Sequence, residues 1–362
     1  MCGISGIYNL NQEQVDEQVL LDMNNSLVHR GPDAGNVQLW GNIGLGHRRL
    51  SIIDLSDSAN QPMQLSDGDY NIVFNGEVYN FLEIKKELES KGYHFKTNSD
   101  TEVILTAYQE YGESCFKMFN GMFALAIYDI NHKKLVLARD AFGIKPLYYF
   151  KSKDTYFFAS EIKALKKHPK INLEISEQAL TEYLWFGNPL GENTIYKYVN
   201  ELKPGSYQVI EKDLIREEMF FSVNQVAEVE ITEEQAIERI SELLEKSVKR
   251  HLISDVPVGV FLSGGIDSSA ITAYASKHYK GKLKTYSVGF DFDKGVNELP
   301  LAKKIAEKYD TEHHEVKVSG KDIIEVIEKL VDAHDEPFGD AADIPLYLLT
   351  AKLKREIKVV LK

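Results

Sequence analysis

Cys2 is the residue with the clearest chemical potential, because it directly follows the initiator Met1. Removal of Met1 would place a thiol and a free α-amino group on one residue. An α-amine has an ordinary pKa of about 7.7–8.0 and can accept the thiol proton near neutral pH. Cys2 would then supply both nucleophile and general base. Taken alone, a cysteine at position 2 is usually incidental, and Cys115 is expected to be a small buried apolar side chain.

Five short motifs follow one another in order from the N-terminus. They are Cys2–Gly6, His29–Asp33, His47–Asp54, Asn75–Asn80 and Ser99–Glu102. This ordered set resembles the class II glutamine amidotransferases, which are N-terminal-nucleophile hydrolases. The resemblance continues through Arg139–Tyr149. It implies that Cys2 attacks the side-chain amide of glutamine.

The same resemblance assigns roles to further residues. It places the stabilisation of the oxyanion on the side-chain amide of Asn75 and the backbone N–H of Gly76. Arg49 would form a bidentate pair with the α-carboxylate of glutamine, and Asp100 would receive its α-ammonium group. The implied glutamine-binding residues are Arg49, Ile52, Asn75, Gly76, Glu77 and Asp100. Each also has a structural explanation, since Asn-Gly is typical of hairpin turns and Asp of helix N-caps.

A glycine-rich loop stands between a predicted strand and a predicted helix at residues 258–269. Backbone N–H groups of such loops bind phosphate oxygens. The loop lacks the Lys-Ser/Thr ending of the common phosphate loop and resembles that of ATP-dependent ligases releasing AMP and pyrophosphate. The implied ATP-binding residues are Phe261, Ser263, Gly264, Gly265, Asp267, Ser268 and Val288. Asp267 would help to hold Mg²⁺ on the phosphates. The alternative is an ordinary strand–helix turn.

A glutaminase followed by this loop is similar to the glutamine-hydrolysing asparagine synthetases, and residues 334–338 match their synthetase half. The resemblance implies that glutamine is hydrolysed to glutamate and ammonia. An internal channel would carry the ammonia to aspartate, which ATP activates as β-aspartyl-AMP. Asparagine, AMP and pyrophosphate would be the products. ATP and Mg²⁺ are the implied cofactors, and the partners are small-molecule substrates.

The resemblance breaks at the C-terminus. In that family the strand matching Lys358–Leu361 leads into a Ser-Gly-acidic-Gly-x-Asp-Glu loop, whereas this sequence stops at Lys362. We therefore expect a complete glutaminase site and an incomplete synthetase site. Three alternatives stay open: a glutaminase only, an amidotransferase for another carboxylate, and a non-catalytic remnant that binds glutamine or nucleotide.

The apolar patterning predicts two domains with different architectures. Short apolar strands separated by turns dominate the first 160 residues. They predict an α+β domain, which the resemblance identifies as an N-terminal-nucleophile hydrolase sandwich with stacked antiparallel sheets between helices. From residue 256 onwards strands alternate with helices, which predicts an α/β parallel-sheet ATP-pyrophosphatase-type domain that is incomplete. The expected boundaries are 2–210 for the glutaminase, 211–231 for a linker and 232–362 for the synthetase ATP-binding domain.

Composition limits the class of protein. The 362 residues are 43% hydrophobic and 27% charged, as in ordinary globular proteins, with a net charge of −13 and no basic stripe that would favour nucleic acid. Two cysteines cannot form a disulfide framework. No apolar run reaches the roughly 18–20 residues of a membrane helix, and residues 1–10 lack the basic-then-apolar pattern that is typical of a signal peptide. We expect a cytoplasmic enzyme without a membrane or nucleic-acid partner, and a homodimer is compatible with the sequence.

Overall fold

The computed structural model describes residues 1–212, 214–290, 297–340, 342–353 and 356–362. The described chain forms two compact units. The first comprises Met1–Ala227 together with Asp335–Phe338, and the second comprises Glu228–His334 and Gly339–Lys362. Each unit is described separately below.

The first unit is built on two antiparallel sheets of six strands each. In chain order its strands are β1 (Gly3–Asn9), β2 (Ala34–Trp40), β3 (Ile43–Arg49), β4 (Met63–Gln64), β5 (Tyr70–Val78), β6 (Gly121–Asp129), β7 (Lys134–Arg139), β8 (Tyr148–Lys151), β9 (Thr155–Ala159), β10 (Val199–Glu201), β11 (Ser206–Glu211) and β12 (Leu214–Met219). One sheet has the order β10-β8-β9-β1-β3-β2, and the other has the order β12-β11-β7-β6-β5-β4.

Helices lie against these sheets. They are α1 (Glu17–Asn25), α2 (Phe81–Ser90), α3 (Asp100–Tyr111), α4 (Ile162–Leu165) and α5 (Glu177–Phe186), and short 3-10 turns span Asp57–Ala59, Gly112–Met118 and Val223–Gln225. Alternation along β1 explains the layers: Ile4 and Tyr8 pack with Val73 of the other sheet, whereas Ile7 packs with Leu20 of α1. The predicted α+β sandwich of antiparallel sheets and helices is confirmed.

The predicted linker, residues 211–231, contains ordered structure of the first unit. β12 lies within it and pairs with β11, from Ser206 opposite Met219 to Glu211 opposite Leu214. The first compact unit runs on to Ala227. One residue of the predicted linker, at position 213, is outside the described residues.

The second unit alternates helices and strands, as predicted. Its elements are α6 (Glu233–His251), β13 (Val258–Phe261), α7 (Ile266–His278), β14 (Lys284–Phe290), α8 (Leu299–Lys308), β15 (Glu312–Val318), α9 (Gly320–Ala333), α10 (Asp343–Leu353) and β16 (Val359–Leu361). The strands form a parallel sheet with the order β15-β14-β13-β16. The pattern Thr-x-x-Gln at residues 232–235 predicts a capping box at a helix start, and Thr232 and Gln235 do exchange its two hydrogen bonds at the start of α6.

Across the described residues, no helix has both the length and the apolar character that are needed to cross a membrane.

A buried carboxylate organises the loop after β7. Asp140 is fully buried, and its two oxygens accept four backbone N–H groups at about 3.0 Å, those of Phe123, Phe142, Ile144 and Lys145. Without the carboxylate, these donors would be left unsatisfied in a region that contains little water. Asp140 therefore sets the path of the chain from β7 to Lys145.

Replacing this carboxylate should destabilise the first unit. In Asp140→Asn, one oxygen becomes an N–H₂ group that cannot accept the N–H donors opposite it, so we expect a loss on the order of 3 kcal/mol. The shift of the urea unfolding midpoint measures the loss. Asp154→Asn, at an exposed position, is the control and should unfold like the unaltered chain. An unchanged midpoint for Asp140→Asn would contradict this role.

Candidate active site

Cys2 lies immediately before β1, which is one of the two central strands of the first sheet. Its side chain is half-buried, and its Sγ lies 3.4 Å from the backbone N–H of Leu50, which donates to it. Burial raises the pKa of the Cys2 thiol, and the Leu50 N–H partly offsets this rise. Cys115, in contrast, is completely buried, as expected from the sequence.

The oxyanion donors predicted from the sequence lie on the other sheet, within β5. Asn75 and Gly76 are part of the strand rather than a hairpin turn, so that structural explanation is wrong. Asn75 is 1% exposed, and among the described residues neither atom of its side-chain amide has a hydrogen-bond partner. Buried amides are normally satisfied, so this one is available to a ligand.

The register of β5 also frees the backbone N–H of Gly76. Gly76 lies opposite Phe123 of β6, whose own N–H and C=O both bond to Asp140. Non-hydrogen-bonded pairs alternate with bonded ones in antiparallel sheets. The Gly76 N–H therefore points to the opposite edge of β5, where β4 pairs only as far as Ile72.

The N–H groups of Phe74 and Val78, two residues before and after Gly76, point to the same edge of β5, and each donates to a side chain. Phe74 N–H donates to Gln61 Oε1 at 2.6 Å, and Val78 N–H donates to Asp100 Oδ2 at 3.1 Å. Within the described part of the chain, no acceptor is recorded for the Gly76 N–H between them. A donor is thus presented next to the unpartnered amide of Asn75.

Gly76 must be glycine for a packing reason. A Cβ at this position would lie 2.2 Å from the carbonyl oxygen of Met122 and 2.7 Å from Cα of Phe123. Both atoms belong to the backbone of β6, which cannot move away without breaking the sheet. Any side chain would therefore displace the strand that carries Asn75.

Three buried ionisable side chains, Glu77, Asp100 and Lys145, interact electrostatically with one another or with Cys2. Burial, followed by the nearby Asp100 carboxylate, raises the pKa of Glu77 to about 8. Burial raises the pKa of Asp100 to about 6, although backbone N–H groups oppose the rise. Burial lowers the pKa of Lys145, which interacts electrostatically with Glu77 and with Cys2. The structure thus brings Cys2, Glu77, Asp100 and Lys145 within electrostatic reach of one another.

The N-terminal amino group belongs to this cluster. The pKa of the Met1 amine falls to about 6, chiefly because of burial; the positive charges of Arg30 and Lys145 contribute to this fall, and the Cys2 thiol opposes it. An amine in this position is largely unprotonated at neutral pH and can act as a base. Met1 itself is 54% exposed, so it is accessible for removal.

Asp100 follows the helix cap rather than forming it. Ser99 is the N-cap of α3, with its hydroxyl accepting from Thr101 N–H, so the interpretation of Asp100 as an N-cap is wrong. Asp100 is 5% exposed and bonds to β5 through Val78. This contact ties the start of α3 to the strand that carries Asn75.

Arg49 and Ile52 lie at and after the end of β3. Both Nη atoms of Arg49 bond to the following loop: Nη1 donates to Ser56 O and to Asn60 Oδ1, each at 2.8 Å, and Nη2 donates to the carbonyl of Asp54. In this arrangement both Nη atoms of Arg49 already donate to acceptors of the loop. Ile52 is half-buried within that loop.

A cavity of about 210 Å³ lies beside Arg49 and His47. Its lining consists of Ala34, Gly35, Asn36, His47, Arg49, Asn60 and Gln61. Of the predicted glutamine-binding residues, it shares only Arg49. The cavity therefore does not define the glutamine site.

The His29–Asp33 motif, to which the sequence gave no individual roles, positions both Cys2 and Arg49. Arg30 Nε donates to the carbonyl of Cys2 at 2.8 Å. A Cβ on Gly31 would lie 2.2 Å from the carbonyl carbon of Arg48, so only glycine fits against that peptide. Asp33 Oδ2 accepts the Ser51 N–H at 2.9 Å.

The glycine-rich loop of the second unit joins β13 to α7. Gly264 has a φ of +85°, and a Cβ there would lie 3.0 Å from the backbone nitrogen of Ala302. Ser263 and Ser268 share a hydrogen bond of 2.9 Å between their hydroxyls, and Gly265 is the N-cap of α7. Asp267 is exposed in the first turn of this helix.

Phe261 and Val288 are also brought together. Phe261 ends β13, Val288 lies near the end of β14, and both pack against a cluster centred on Tyr286. Two neighbouring parallel strands thus end beside the loop, which is where open α/β sheets bind ligands.

Sequence reasoning missed three residues near Cys2. Lys145 follows Gly143 in a motif that was identified but given no chemistry. Arg30 lies in the His29–Asp33 motif, where a buried arginine next to a catalytic candidate could have been suspected. Glu161 bonds to Arg30 across a sequence separation of 131, and no local pattern reveals such a contact.

Within the described residues there is no group of three or more His, Cys, Asp or Glu side chains that could hold a metal ion. His313 and His314 are neighbours on strand β15.

Comparison with known proteins identifies the class of each unit. The family described as "Glutamine amidotransferase domain" matches residues 1–221, and the family described as "Asparagine synthase" matches residues 239–362. The first unit is therefore a glutamine amidotransferase domain.

Individual relatives match along the whole chain. Asparagine synthetase [glutamine-hydrolyzing] 1 of Bacillus subtilis is 40% identical over 100% of this chain and 57% of its own length. Asparagine synthetase [glutamine-hydrolyzing] 3 of the same organism is 35% identical over 100% of this chain and 61% of its own length. A Methanocaldococcus jannaschii protein, provisionally named as an asparagine synthetase of this kind, is 34% identical over 100% of this chain and 73% of its own length.

The chain belongs to the family of glutamine-hydrolysing asparagine synthetases. It spans less than two thirds of the length of the two Bacillus subtilis relatives.

The raised pKa of Glu77 has a consequence for stability. Because its pKa is about 8 in the folded chain and near 4.5 ordinarily, the folded chain binds more protons between these values. Stability is therefore lost as the pH rises through this window. Glu77→Gln has no carboxyl to titrate and should not show this loss. Its free energy of unfolding, relative to that of the unaltered chain, should therefore rise by roughly 1–3 kcal/mol between about pH 5 and about pH 8.5.

Thermal unfolding of both proteins at the two pH values measures this difference. Glu89→Gln, at an exposed position on α2, provides the baseline for loss of a carboxylate. A Glu77→Gln effect that is the same at both pH values would contradict the raised pKa.

Proposed function

We propose that this chain is a glutamine-dependent asparagine synthetase that hydrolyses glutamine at Cys2 and uses the ammonia to convert aspartate into asparagine with ATP. One observation carries the glutaminase half: among the described residues, the amide of Asn75 and the N–H of Gly76 have no partner, and they directly precede Glu77, which interacts electrostatically with Asp100 and with the N-terminal amine. The synthetase half rests on the glycine-rich loop and on the names of the relatives.

Cys2 is the proposed nucleophile. After removal of Met1, the thiol proton passes to the α-amine of Cys2, and sulfur bonds to the side-chain amide carbon of glutamine. The carbon–nitrogen bond then breaks, and the leaving nitrogen takes the proton and departs as ammonia. Water hydrolyses the thioester that remains, which releases glutamate and restores the thiol.

Asn75 and Gly76 are the proposed oxyanion donors. The carbonyl oxygen of the substrate becomes negative when sulfur attacks, and preorganised N–H groups stabilise that charge without having to reorient. Asn75 supplies its side-chain N–H₂, which is otherwise unsatisfied, and Gly76 supplies its backbone N–H. Occupation by substrate would satisfy both groups.

Asp100 and Glu77 are the proposed ligands of the glutamine α-ammonium group. Both carboxyls have raised pKa values because they are buried close together, and a bound cation would favour their ionised forms. Arg49 is the proposed ligand of the α-carboxylate, with Ile52 beside it. Its Nη donors would have to exchange loop carbonyls for the substrate.

The loop between β13 and α7 has the donor set that ATP requires. It presents backbone N–H groups at the start of a 13-residue helix, together with serine hydroxyls, and these groups suit phosphate oxygens. Ser263, Gly264, Gly265 and Ser268 would hold the phosphates, and Phe261 and Val288 would line the adenosine site. ATP supplies the adenylate that activates the carboxylate of aspartate.

Asp267 is the proposed protein ligand of Mg²⁺. A single exposed carboxylate beside a phosphate site suits this ion, which often takes one or two carboxylates together with phosphate oxygens. Mg²⁺ would neutralise phosphate charge.

The remaining proposals concern cellular context. The proposed location is the cytoplasm, which agrees with a chain of only two cysteines, and the proposed assembly is a homodimer. The proposed partners are glutamine, aspartate and ATP, with no nucleic acid or membrane.

Glutamine labelled with ¹⁵N at the side-chain amide tests the proposed function. The protein is incubated with labelled glutamine, aspartate and MgATP, and the products are followed by NMR. We expect the label to be released from glutamine, and its appearance in asparagine would overturn the expectation of an incomplete synthetase site. Cys2→Ala should abolish the release because the nucleophile is lost. Unaltered thermal unfolding of this variant shows that the loss is chemical.

Each other outcome contradicts a part of the proposal. Label that appears only as ammonia supports the glutaminase half and overturns asparagine synthesis by this chain. Label that stays in glutamine after Met1 has been removed overturns both halves. An experiment without MgATP separates hydrolysis from synthesis, because hydrolysis alone needs no nucleotide.

A further inference from the structure

Glu161 forms a dense ion-pair cluster close to Cys2. The residue follows β9, and its carboxylate accepts from Arg30 Nη1 at 2.8 Å. His29 Nε2 lies 2.9 Å and 3.0 Å from its two oxygens, and Lys163 Nζ lies 3.3 Å away. The side chain of Glu161 is only 14% exposed. Neither the resemblance nor the family matches assigns it a role.

Arg30 links this cluster to the main chain of Cys2. One edge of its guanidinium bonds to Glu161, while Nε donates to the main-chain carbonyl of Cys2 at 2.8 Å. The planar guanidinium fixes the relative directions of its donors. The position of the Glu161 carboxylate therefore determines where the Cys2 carbonyl is held.

Burial makes this pairing necessary. Arg30 is 8% exposed, and a buried guanidinium without a partner is strongly unfavourable. Burial opposes ionisation of Glu161, but hydrogen bonds from His29 and Arg30 outweigh that effect and lower its pKa to about 2. The carboxylate is thus charged throughout the neutral range.

We propose that Glu161 is a positioning residue for the nucleophile, holding Arg30 so that it anchors the main chain of Cys2. This inference rests on the proposed glutaminase activity. Once Met1 is removed, Cys2 is the terminal residue, and terminal residues are mobile unless they are tied down. The Arg30 bond to its carbonyl fixes the direction of the side chain and thus the aim of Sγ.

The main chain next to Glu161 is itself hydrogen-bonded to strand β1. Ser160, next to Glu161, exchanges two hydrogen bonds with Ile4: Ile4 N–H donates to Ser160 Oγ at 3.0 Å, and Ser160 N–H donates to Ile4 O at 2.9 Å. The chain that carries the carboxylate is therefore itself fixed to the strand that begins beside Cys2. The cluster is rigid at both ends.

Glu161→Gln tests the role by three measurements on the full chain. It keeps the shape of the side chain but loses the charge that pairs with Arg30. We expect kcat for glutamine hydrolysis to fall about tenfold or more, with KM within about twofold of that of the unaltered chain. The variant loses the orientation of the Cys2 Sγ and keeps substrate binding. We also expect iodoacetamide to modify Cys2 severalfold faster, because a loosened thiol is less buried.

Cys115 is an internal control in the same experiment. It is completely buried in the first unit, so it should stay unmodified in a folded variant, whereas unfolding would expose both cysteines. The matched control variant is Glu113→Gln, which removes a carboxylate that is 19% exposed and paired with Lys134 at 3.2 Å. We expect it to keep the kcat of the unaltered chain.

A double-variant comparison tests the path through Arg30. Arg30→Lys retains the charge but not the planar fork, and it should slow hydrolysis by itself. If Glu161 acts through Arg30, the double variant should be no slower than Arg30→Lys alone, because the two changes remove one interaction. Multiplication of the two defects would overturn the proposed path.

The outcomes separate this inference from the proposed function. An unaltered chain without glutaminase activity overturns the proposed function, while the rate of Cys2 modification still tests the anchor. Equal kcat and equal modification rates in Glu161→Gln and the unaltered chain overturn the inference alone. A rise in KM without a fall in kcat, or an equal fall in Glu113→Gln, also overturns it.

Discussion

Strand β5 has a free edge, and the architecture of the site depends on how that edge is satisfied. Beyond Ile72, no neighbouring strand in the described part of the chain accepts the outward N–H groups of β5. Gln61 accepts from Phe74 and Asp100 accepts from Val78, which leaves the Gly76 N–H between them. Because buried donors need acceptors, an unsatisfied donor next to an unsatisfied amide defines a place that a substrate oxygen can fill. The chemistry of the proposed oxyanion site thus follows from strand pairing.

The nucleophile and these donors belong to different sheets, so the spacing between the sheets must be fixed. His47 of β3 contributes directly, since its Nε2–H donates to Phe74 O at 3.1 Å across that gap. Burial lowers the pKa of His47 to about 3, so the ring is neutral at physiological pH. The bond joins the first sheet to the residue that precedes Asn75. Arg30 and Glu161 fix the other partner, Cys2, in the same unit.

Several charges are buried around Cys2, although burial of charge is costly. Arg30 and Glu161 compensate one another by direct pairing. Burial instead raises the pKa of Glu77 to about 8 and that of Asp100 to about 6, so these two carboxyls can exchange protons near neutral pH, and it lowers the pKa of Lys145. Both solutions follow from the same desolvation cost. The first suits a fixed anchor, and the second suits a binding site that must respond to a charged substrate.

The sequence by itself determined which residue types were available and which elements carried them. Apolar alternation predicted the antiparallel sandwich, strand–helix alternation predicted the parallel sheet, and Thr232–Gln235 predicted the capping box. These features depend on contacts that are local in sequence or periodic, so they can be read without a structure. The tertiary structure decided that Asn75-Gly76 lies inside a strand, that Ser99 caps α3, and that Glu161 reaches Arg30. The strand position of Asn75-Gly76 depends on strand register and the Glu161 contact on residues 131 apart, for which a single sequence contains no local pattern. The cap is a local contact from Ser99 to Thr101, but which of two adjacent polar residues caps α3 depends on the residue at which the helix begins.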